Sequence, residues 1–437
     1  MLGLACAYFF RQRRVAAVAV CAILAVHLHV RPLLFFLGAD TPFPDAFFPR
    51  DAWDLMAQTS LVTALWTALF LAGYTMLATP ARLVSLAMPQ IAATPDRSLV
   101  TFAAISATGL AAIATGMLVL QYGSVAQFTF ATKIGKDLTG AYALRQLSII
   151  AAMISAFGLF TFAKPAEKAG RAHRMIEPKY LLLFTALICV NLNVNYAWGN
   201  RYNIALLILA VGLGWHYYIR RFRLIEIVVL LLASACFLQG LKTVRVMLVS
   251  EALRQDVAAN MEFWRAVSTS LHFTQFDAFM LVLRDAGDRF SFRWGEDFWN
   301  GLLAWIPRGL LPEKETFHIG AWFRRIYEPS KINGWPVSVV GSWYVNFGWI
   351  GVGAGALLSG LVTRAFDLAY SAPHNSAWHA FAGPCFGFFM LSGGVDTGFV
   401  QAIFLVFVPV FLFGLVIGAR RNESRGRIAP TGRRPSA

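Results

Sequence analysis

The sequence predicts an all-α, polytopic integral membrane protein of about ten transmembrane helices, with one large ordered loop between the seventh and the eighth. Three observations predict it. Hydrophobic residues make up 57% of the 437 and charged residues only 14%, against roughly 25% charged in an ordinary soluble domain. Apolar runs close to the ~20 helical residues needed to cross a bilayer recur along the chain. Basic residues stand in the links between these runs and in the C-terminal tail, a distribution that orients membrane proteins. The net charge of +15 therefore does not point to nucleic acid.

The first seven runs cover 15–38, 55–78, 99–120, 143–163, 180–197, 201–219 and 224–242, so residues 1–242 form one block of helices. Residues 243–342 make the large loop. Runs 343–366, 377–394 and 398–418 form a C-terminal block over 343–418, and 419–437 is a basic tail that attracts lipid headgroups. Arg11, Arg13 and Arg14 precede the first run as in a signal peptide, but no small-residue cleavage site follows, so the run reads as a retained anchor. Cys6, Cys21, Cys189, Cys236 and Cys385 lie in apolar runs without paired spacing and read as small hydrophobes.

Ten spans return both termini to one side. The links expected there hold Arg11, Arg13 and Arg14, then Arg82 and Arg97, then Lys164 to Lys179, then Arg220, Arg221 and Arg223. The opposite link 41–54 has only Arg50, against Asp45, Asp51 and Asp54. Positive charge marks the cytoplasmic side, so both termini are expected in the cytoplasm and the large loop outside. That loop carries 11 acidic residues between Glu251 and Glu328 and is dense in Phe, Trp and Tyr, so it reads as folded. Residues 262–284 show helical periodicity, and Pro307, Pro312, Pro329 and Pro336 then break the chain into turns.

Chemistry would fall to the cations of this loop. Arg245, Arg284, Arg293, Arg308 and Lys314 stand there, and the short turn Trp198 to Arg201 lies on the same side. A guanidinium presents paired donors matched to phosphate. The plainer alternative is that these arginines pair with the loop's own acids or meet lipid headgroups. His27 and His29 point about 200° apart on a helix and cannot share a metal. His272 and His318 offer an acid, a base or a donor. Asp277 is a candidate base for a hydroxyl acceptor, and Asp396 sits in a glycine-rich turn. No HExxH, DxD, CxxC or GxSxG occurs, so neither a metal site nor a covalent hydrolase is indicated.

The stretches GNR (Gly199 to Arg201), RWGEDFWNGLLAWIPRGLLPEKE (Arg293 to Glu315) and WYVNFGWIGVGAGALLSG (Trp343 to Gly360) occur in that order. They resemble the O-antigen polymerase (Wzy-type) and oligosaccharide repeat-unit polymerase proteins of bacterial envelopes, over roughly 196–360. The chain departs from that pattern at Glu315, where proline is frequent, and at Ser342, where glutamate is frequent. The resemblance implies a fold similar to multispanning lipid-sugar glycosyltransferases in the bacterial inner membrane, with the loop periplasmic. It implies growth of a polysaccharide (O-antigen of lipopolysaccharide, or exopolysaccharide) from polyprenyl-pyrophosphate-linked repeat units, without metal or other cofactor. Partners would be the lipid-linked glycan donor and acceptor, the bilayer, a chain-length regulator and a flippase. Catalysis would rest on Arg201, Arg308, Lys314 and Asp277, and substrate binding on Asn200, Arg245, Arg284, Arg293, His318, Tyr344 and Asn346. Pro307 and Pro312 would stiffen a turn that aims Arg308 and Lys314 at the pyrophosphate. An O-antigen ligase, which moves finished polymer to lipid A core, and a lipid-linked sugar transporter remain the alternatives. The apolar runs are nearly free of mid-span charge, which favours an outer-face enzyme over a carrier.

Topology is directly testable. Reporter fusions after Ala172, Arg221 and Glu423 are expected to read cytoplasmic, and fusions after Asp45 and Glu313 to read outside. A cytoplasmic reading at Glu313 would overturn the orientation.

Overall fold

The computed structural model describes residues 2–12, 14–48, 52–87, 96–134, 142–165, 174–199, 201–223, parts of 225–241, 274–303, 306, 310–311, 313, 319–329 and 334–370. Within them the chain is a helical membrane protein. Five helical stretches are long and apolar enough to cross a bilayer: Val15–Phe36, Trp53–Met76, Arg97–Gln121, Pro178–Ala197 and Ser338–Ala369. Runs 377–394 and 398–418 lie outside the described residues.

One group of helices comprises α1 (Leu2–Arg11), α2 (Val15–Leu24), a π-turn (Ala25–His29), α3 (Val30–Phe36), α4 (Trp53–Met76) and α5 (Ala78–Ala87). A second comprises α6 (Arg97–Gln121), α7 (Val125–Ile134), α8 (Tyr142–Thr161), α9 (Pro178–Ala197) and α10 (Arg201–Gly214). The described loop supplies α11 (Gln275–Asp285), α12 (Glu296–Leu303) and α13 (Ile319–Tyr327), and α14 (Ser338–Tyr370) follows. The all-α expectation needs one amendment. Strands β1 (Ala163–Pro165) and β2 (Arg174–Ile176) pair antiparallel, Lys164 opposite Met175, and draw together the link between α8 and α9.

Lipid tails are as apolar as leucine, so membrane helices associate through close packing and hydrogen bonds. Both devices appear. α4 and α14 cross with their backbones almost touching: a Cβ on Gly73 would lie 2.4 Å from the Leu357 carbonyl oxygen, and one on Gly360 2.2 Å from that of Phe70. In the second group a buried polar ladder joins α6, α8, α9 and α10. Asn191 Nδ2 lies 2.9 Å from Thr108 Oγ1 and 3.1 Å from Ser155 Oγ. Asn195 Oδ1 accepts from Ser148 Oγ at 3.2 Å and from Asn203 Nδ2 at 3.0 Å.

The α2/α4/α14 group has two chemically distinct ends. At one, Asp367 near the end of α14 accepts from the Ala16 and Ala17 amides at 3.0 and 3.1 Å and from Tyr74 Oη at 2.8 Å. The first turn of α2 has amides without helical partners, and a carboxylate there also suits the helix dipole. At the other end, the starts of α4 and α11 meet the end of the first apolar run, with Phe35, Met56, Phe276 and Met280 in one cluster. The described part of the loop therefore lies at the end opposite the start of α2.

α14 is not one rod. Gly348 has φ 57° and ψ −140°, a conformation that suits only glycine, and the helix breaks there. The piece before it folds back, so that the Trp343 carbonyl oxygen would be 2.1 Å from a Cβ on Gly351 and the Trp343 ring lies over Gly355. Within the eighth run, expected at 343–366, the straight helix thus begins only after Gly348; hydropathy cannot sense a left-handed glycine.

The helix crossing generates opposite expectations for two glycines of α14. Gly360→Ala must push its methyl into the α4 backbone and should destabilise by about 1–3 kcal/mol. Gly353, with nothing within 4 Å of a Cβ, should tolerate alanine or gain slightly from its helix propensity. Thermal unfolding in detergent reads both.

Candidate functional site

The loop is attached to the first span by a buried ion pair. Arg31 stands in the last turns of that apolar run, is fully buried, and donates from Nε and Nη2 to the two oxygens of Asp277 at 3.0 Å each. It also donates to Asp40 and, at 2.9 Å, to the Thr41 carbonyl, with its guanidinium 4.6 Å from the Phe35 ring centroid. Asp277 accepts further from the Phe43 amide at 2.8 Å. A charge sealed from water demands such compensation. This corrects the expectation for Asp277. With both oxygens engaged and no exposure, it is an anchor for α11 and cannot reach an acceptor hydroxyl.

Two turns on, Asp285 gathers a second cluster. Arg284 donates to it from Nε at 2.5 Å and Nη2 at 2.9 Å, and from Nη1 to the Phe47 carbonyl at 2.6 Å. Tyr327 Oη donates to Asp285 at 2.5 Å, and the half-exposed Arg289 stacks 4.9 Å over the Tyr327 ring. Burial pushes the Asp285 carboxyl up, but the hydrogen bonds from Arg284 and Tyr327 and the charges of Arg284 and Arg289 outweigh it and hold the group below the usual carboxylate range. The cluster therefore adds stability above that range and loses it as pH falls through the depressed value. Tyr327 is raised, first by burial and then by Asp285, and Arg284 is raised by its bond to Asp285.

The third assembly joins two stretches about fifty positions apart. The Arg293 amide donates to the Val345 carbonyl at 3.0 Å and the Trp294 amide to the Asn346 carbonyl at 2.9 Å. In an unbroken helix those carbonyls would serve residues 349 and 350. The bend at Gly348 frees them, and the loop occupies them. Side chains complete the junction. Asn346 accepts from the Gly295 amide at 3.2 Å and donates to the fully buried Asp297 at 2.8 Å. Arg293 Nε donates to the other Asp297 oxygen at 2.5 Å, and its guanidinium lies 5.6 Å from the Trp322 ring centroid.

Measured against expectation, Arg284 and Arg293 follow the plainer alternative, each paired with a carboxylate of its own loop. Asn346 is buried at the junction, and Tyr344 sits among Phe279, Phe292 and Trp349 with ring centroids 5.6–6.2 Å away. Both act as scaffold. Arg201 opens α10 just after Gly199, whose φ is 63°. The turn is held by Trp198 Nε1 on Thr115 Oγ1 at 3.0 Å and by Thr129 Oγ1 on the Ala197 carbonyl at 2.8 Å. The side chain of Arg201, and Asn200, Arg245, Arg308, Lys314 and His318 entirely, lie outside the described residues. Sequence reasoning missed Arg31, Asp285 and Asp297. Arg31 had left a signal, since a charge inside an apolar run requires a partner.

Set against family models, curated proteins and solved structures, the chain gives no match.

The Arg31 pair has a measurable cost of disruption. Asp277→Ala leaves a buried guanidinium with reduced compensation and should cost about 3–5 kcal/mol, seen as lower membrane abundance and a lower Tm in detergent. The double variant Arg31→Met, Asp277→Leu should recover most of that loss, because an apolar pair needs no compensation.

Proposed function

We propose that this protein is a metal-independent glycosyltransferase that polymerises polyprenyl-pyrophosphate-linked oligosaccharide repeat units at the periplasmic face of the bacterial inner membrane. In this reading ten spans place both termini in the cytoplasm and the 243–342 loop outside. The observation that carries it is the junction of 293–297 with 345–346, because it brings together the two longest stretches bearing the polymerase resemblance. The turn that opens α10 at Arg201, rigidly tied to three helices, supplies the remaining stretch.

The roles divide between scaffold and chemistry. Asp277, Asp297 and Asp285 hold α11, the 293–297 turn and Tyr327 in place, with Arg31, Arg293 and Arg284 as their respective partners. Arg201, Arg308 and Lys314 are the proposed grip on the pyrophosphate. The acceptor hydroxyl attacks the anomeric carbon, the bond from that carbon to the pyrophosphate oxygen breaks, and the hydroxyl proton is lost. Negative charge grows on the leaving phosphate, and fixed cations stabilise it electrostatically. No base is assigned.

Arginine's fork provides the test. If Arg308 and Arg201 hold phosphate oxygens through paired donors, lysine cannot replace them. Arg308→Ala and Arg308→Lys, and the same changes at Arg201, are expected to leave a single repeat unit on the lipid A core with protein abundance unchanged. Bare core with polymer stranded on polyprenyl pyrophosphate would identify a ligase instead. Full-length polymer on the core in Arg308→Ala would remove the 307–314 turn from the mechanism.

A further inference from the structure

α12 exposes a large indole while it buries a carboxylate, beside Phe298, which packs inward against Trp343 and Phe347. Its buried side carries Asp297, fully enclosed, against the equally buried Asn346 of the Gly348 bend. Its outer side carries Trp299 at 62% exposure, and the residue two before the helix, Trp294, is exposed at 72%. In water this arrangement is unfavourable twice over, since the carboxylate loses hydration and the indoles gain none of the benefit of burial. Trp294 is moreover held at φ 47°, left-handed backbone that a bulky side chain rarely adopts. Strain of this kind persists only where the surroundings over-determine it. Here the Arg293, Trp294 and Gly295 amides are all bonded to Val345 or Asn346.

The height of this segment along the membrane axis is set by the same bonds. The Trp294 amide is tied to the Asn346 carbonyl, and three residues later Trp349 opens the straight, span-length part of α14. Trp349 and Ile350 are themselves exposed at 54% and 75%. At the same end Trp53, the first residue of α4, is exposed at 55%. Indoles at the ends of spans belong to the headgroup boundary, where an apolar ring meets lipid and its N–H meets water. We infer that α12 and the Trp294 turn lie in the headgroup layer of the bilayer on the loop's side, with Trp294 and Trp299 set against phospholipid and Asp297 sealed on the protein side. The partner is the lipid surface. Continuity with Trp349 at the span's first turn selects lipid over a second copy of the chain, and Glu296, exposed at 67% beside Trp294, takes the aqueous edge of the layer. The inference stands apart from the transferase reading, since its test needs no activity.

The test places nitroxide labels on the full-length chain in phospholipid nanodiscs, in a background whose five cysteines are replaced by alanine. Labels go on Trp294→Cys and Trp299→Cys, with Trp349→Cys as the lipid reference and the exposed Ser291→Cys and Glu313→Cys as water references. Relaxation by oxygen is compared with relaxation by a water-soluble nickel chelate. Labels at 294 and 299 are expected to favour oxygen as at 349, and those at 291 and 313 to favour nickel. Nickel-dominated relaxation at 299 overturns the inference, and so does weak relaxation by both reagents, which marks cover by protein. A second measurement keeps the native cysteines. In bilayers of lipid brominated near the ester carbonyls, the double variant Trp294→Phe, Trp299→Phe should lose part of the quenchable tryptophan emission of the parent. An unchanged quenchable fraction overturns it.

Discussion

Two carbonyls released by a bend organise the loop end of this protein. Gly348 adopts a backbone conformation that other residues rarely reach, the helix breaks, and the Val345 and Asn346 carbonyls lose their helical donors. Val345 and Asn346 are fully buried, and buried backbone carbonyls must be satisfied within the protein. The amides of Arg293 and Trp294 do this, and Asn346 and Asp297 lock the pairing with side chains. The break also lets Trp343 fold back onto Gly351 and Gly355, so that the straight part of α14 starts at Trp349. One glycine thus sets where the straight part of α14 begins and where the loop attaches to it.

A second pattern is that two charges near the ends of span-length helices, Arg31 and Asp367, tie together elements far apart in sequence. Arg31 and Asp277 join the first span to the loop helix, and Asp367 caps α2 from the last described helix. In a poor dielectric such groups cost much when alone and hold geometry when paired. They are therefore fasteners between the α2/α4/α14 group and its loop. The second group is held by neutral amides and hydroxyls, Asn191 and Asn195 above all, which avoid the cost of charge. Rigid attachment matters for a site built on cations, because electrostatic stabilisation depends on donors already aimed before charge develops.

The arginines of the loop divide accordingly. Arg284 and Arg293 each spend their donors on a neighbouring carboxylate and an adjacent carbonyl or ring, so their charge is largely met inside the loop. Arg289, half-exposed over Tyr327, is the most outward of the three. A dense cationic sequence is thus partly a scaffold of internal pairs, and the proposed chemistry falls to Arg201, Arg308 and Lys314.

The sequence by itself determined the helical membrane class and the positions of the long apolar helices, because hydropathy is a local property that the bilayer reads directly. Five of the expected runs appear as span-length helices, and the 143–163 and 201–219 runs as shorter apolar helices. Periodicity over 262–284 likewise anticipated α11 (Gln275–Asp285), while 262–273 lie outside the described residues. Side-chain roles were less legible. Asp277 looks like a free carboxylate until Arg31 is found beside it, and Asn346 looks like a ligand until Asp297 and the Gly295 amide occupy it. The break at Gly348 is silent in hydropathy, since glycine is as apolar in a helix as out of one. Pairing across tens or hundreds of positions has no local signature, so the tertiary structure alone decided which polar groups hold the protein together.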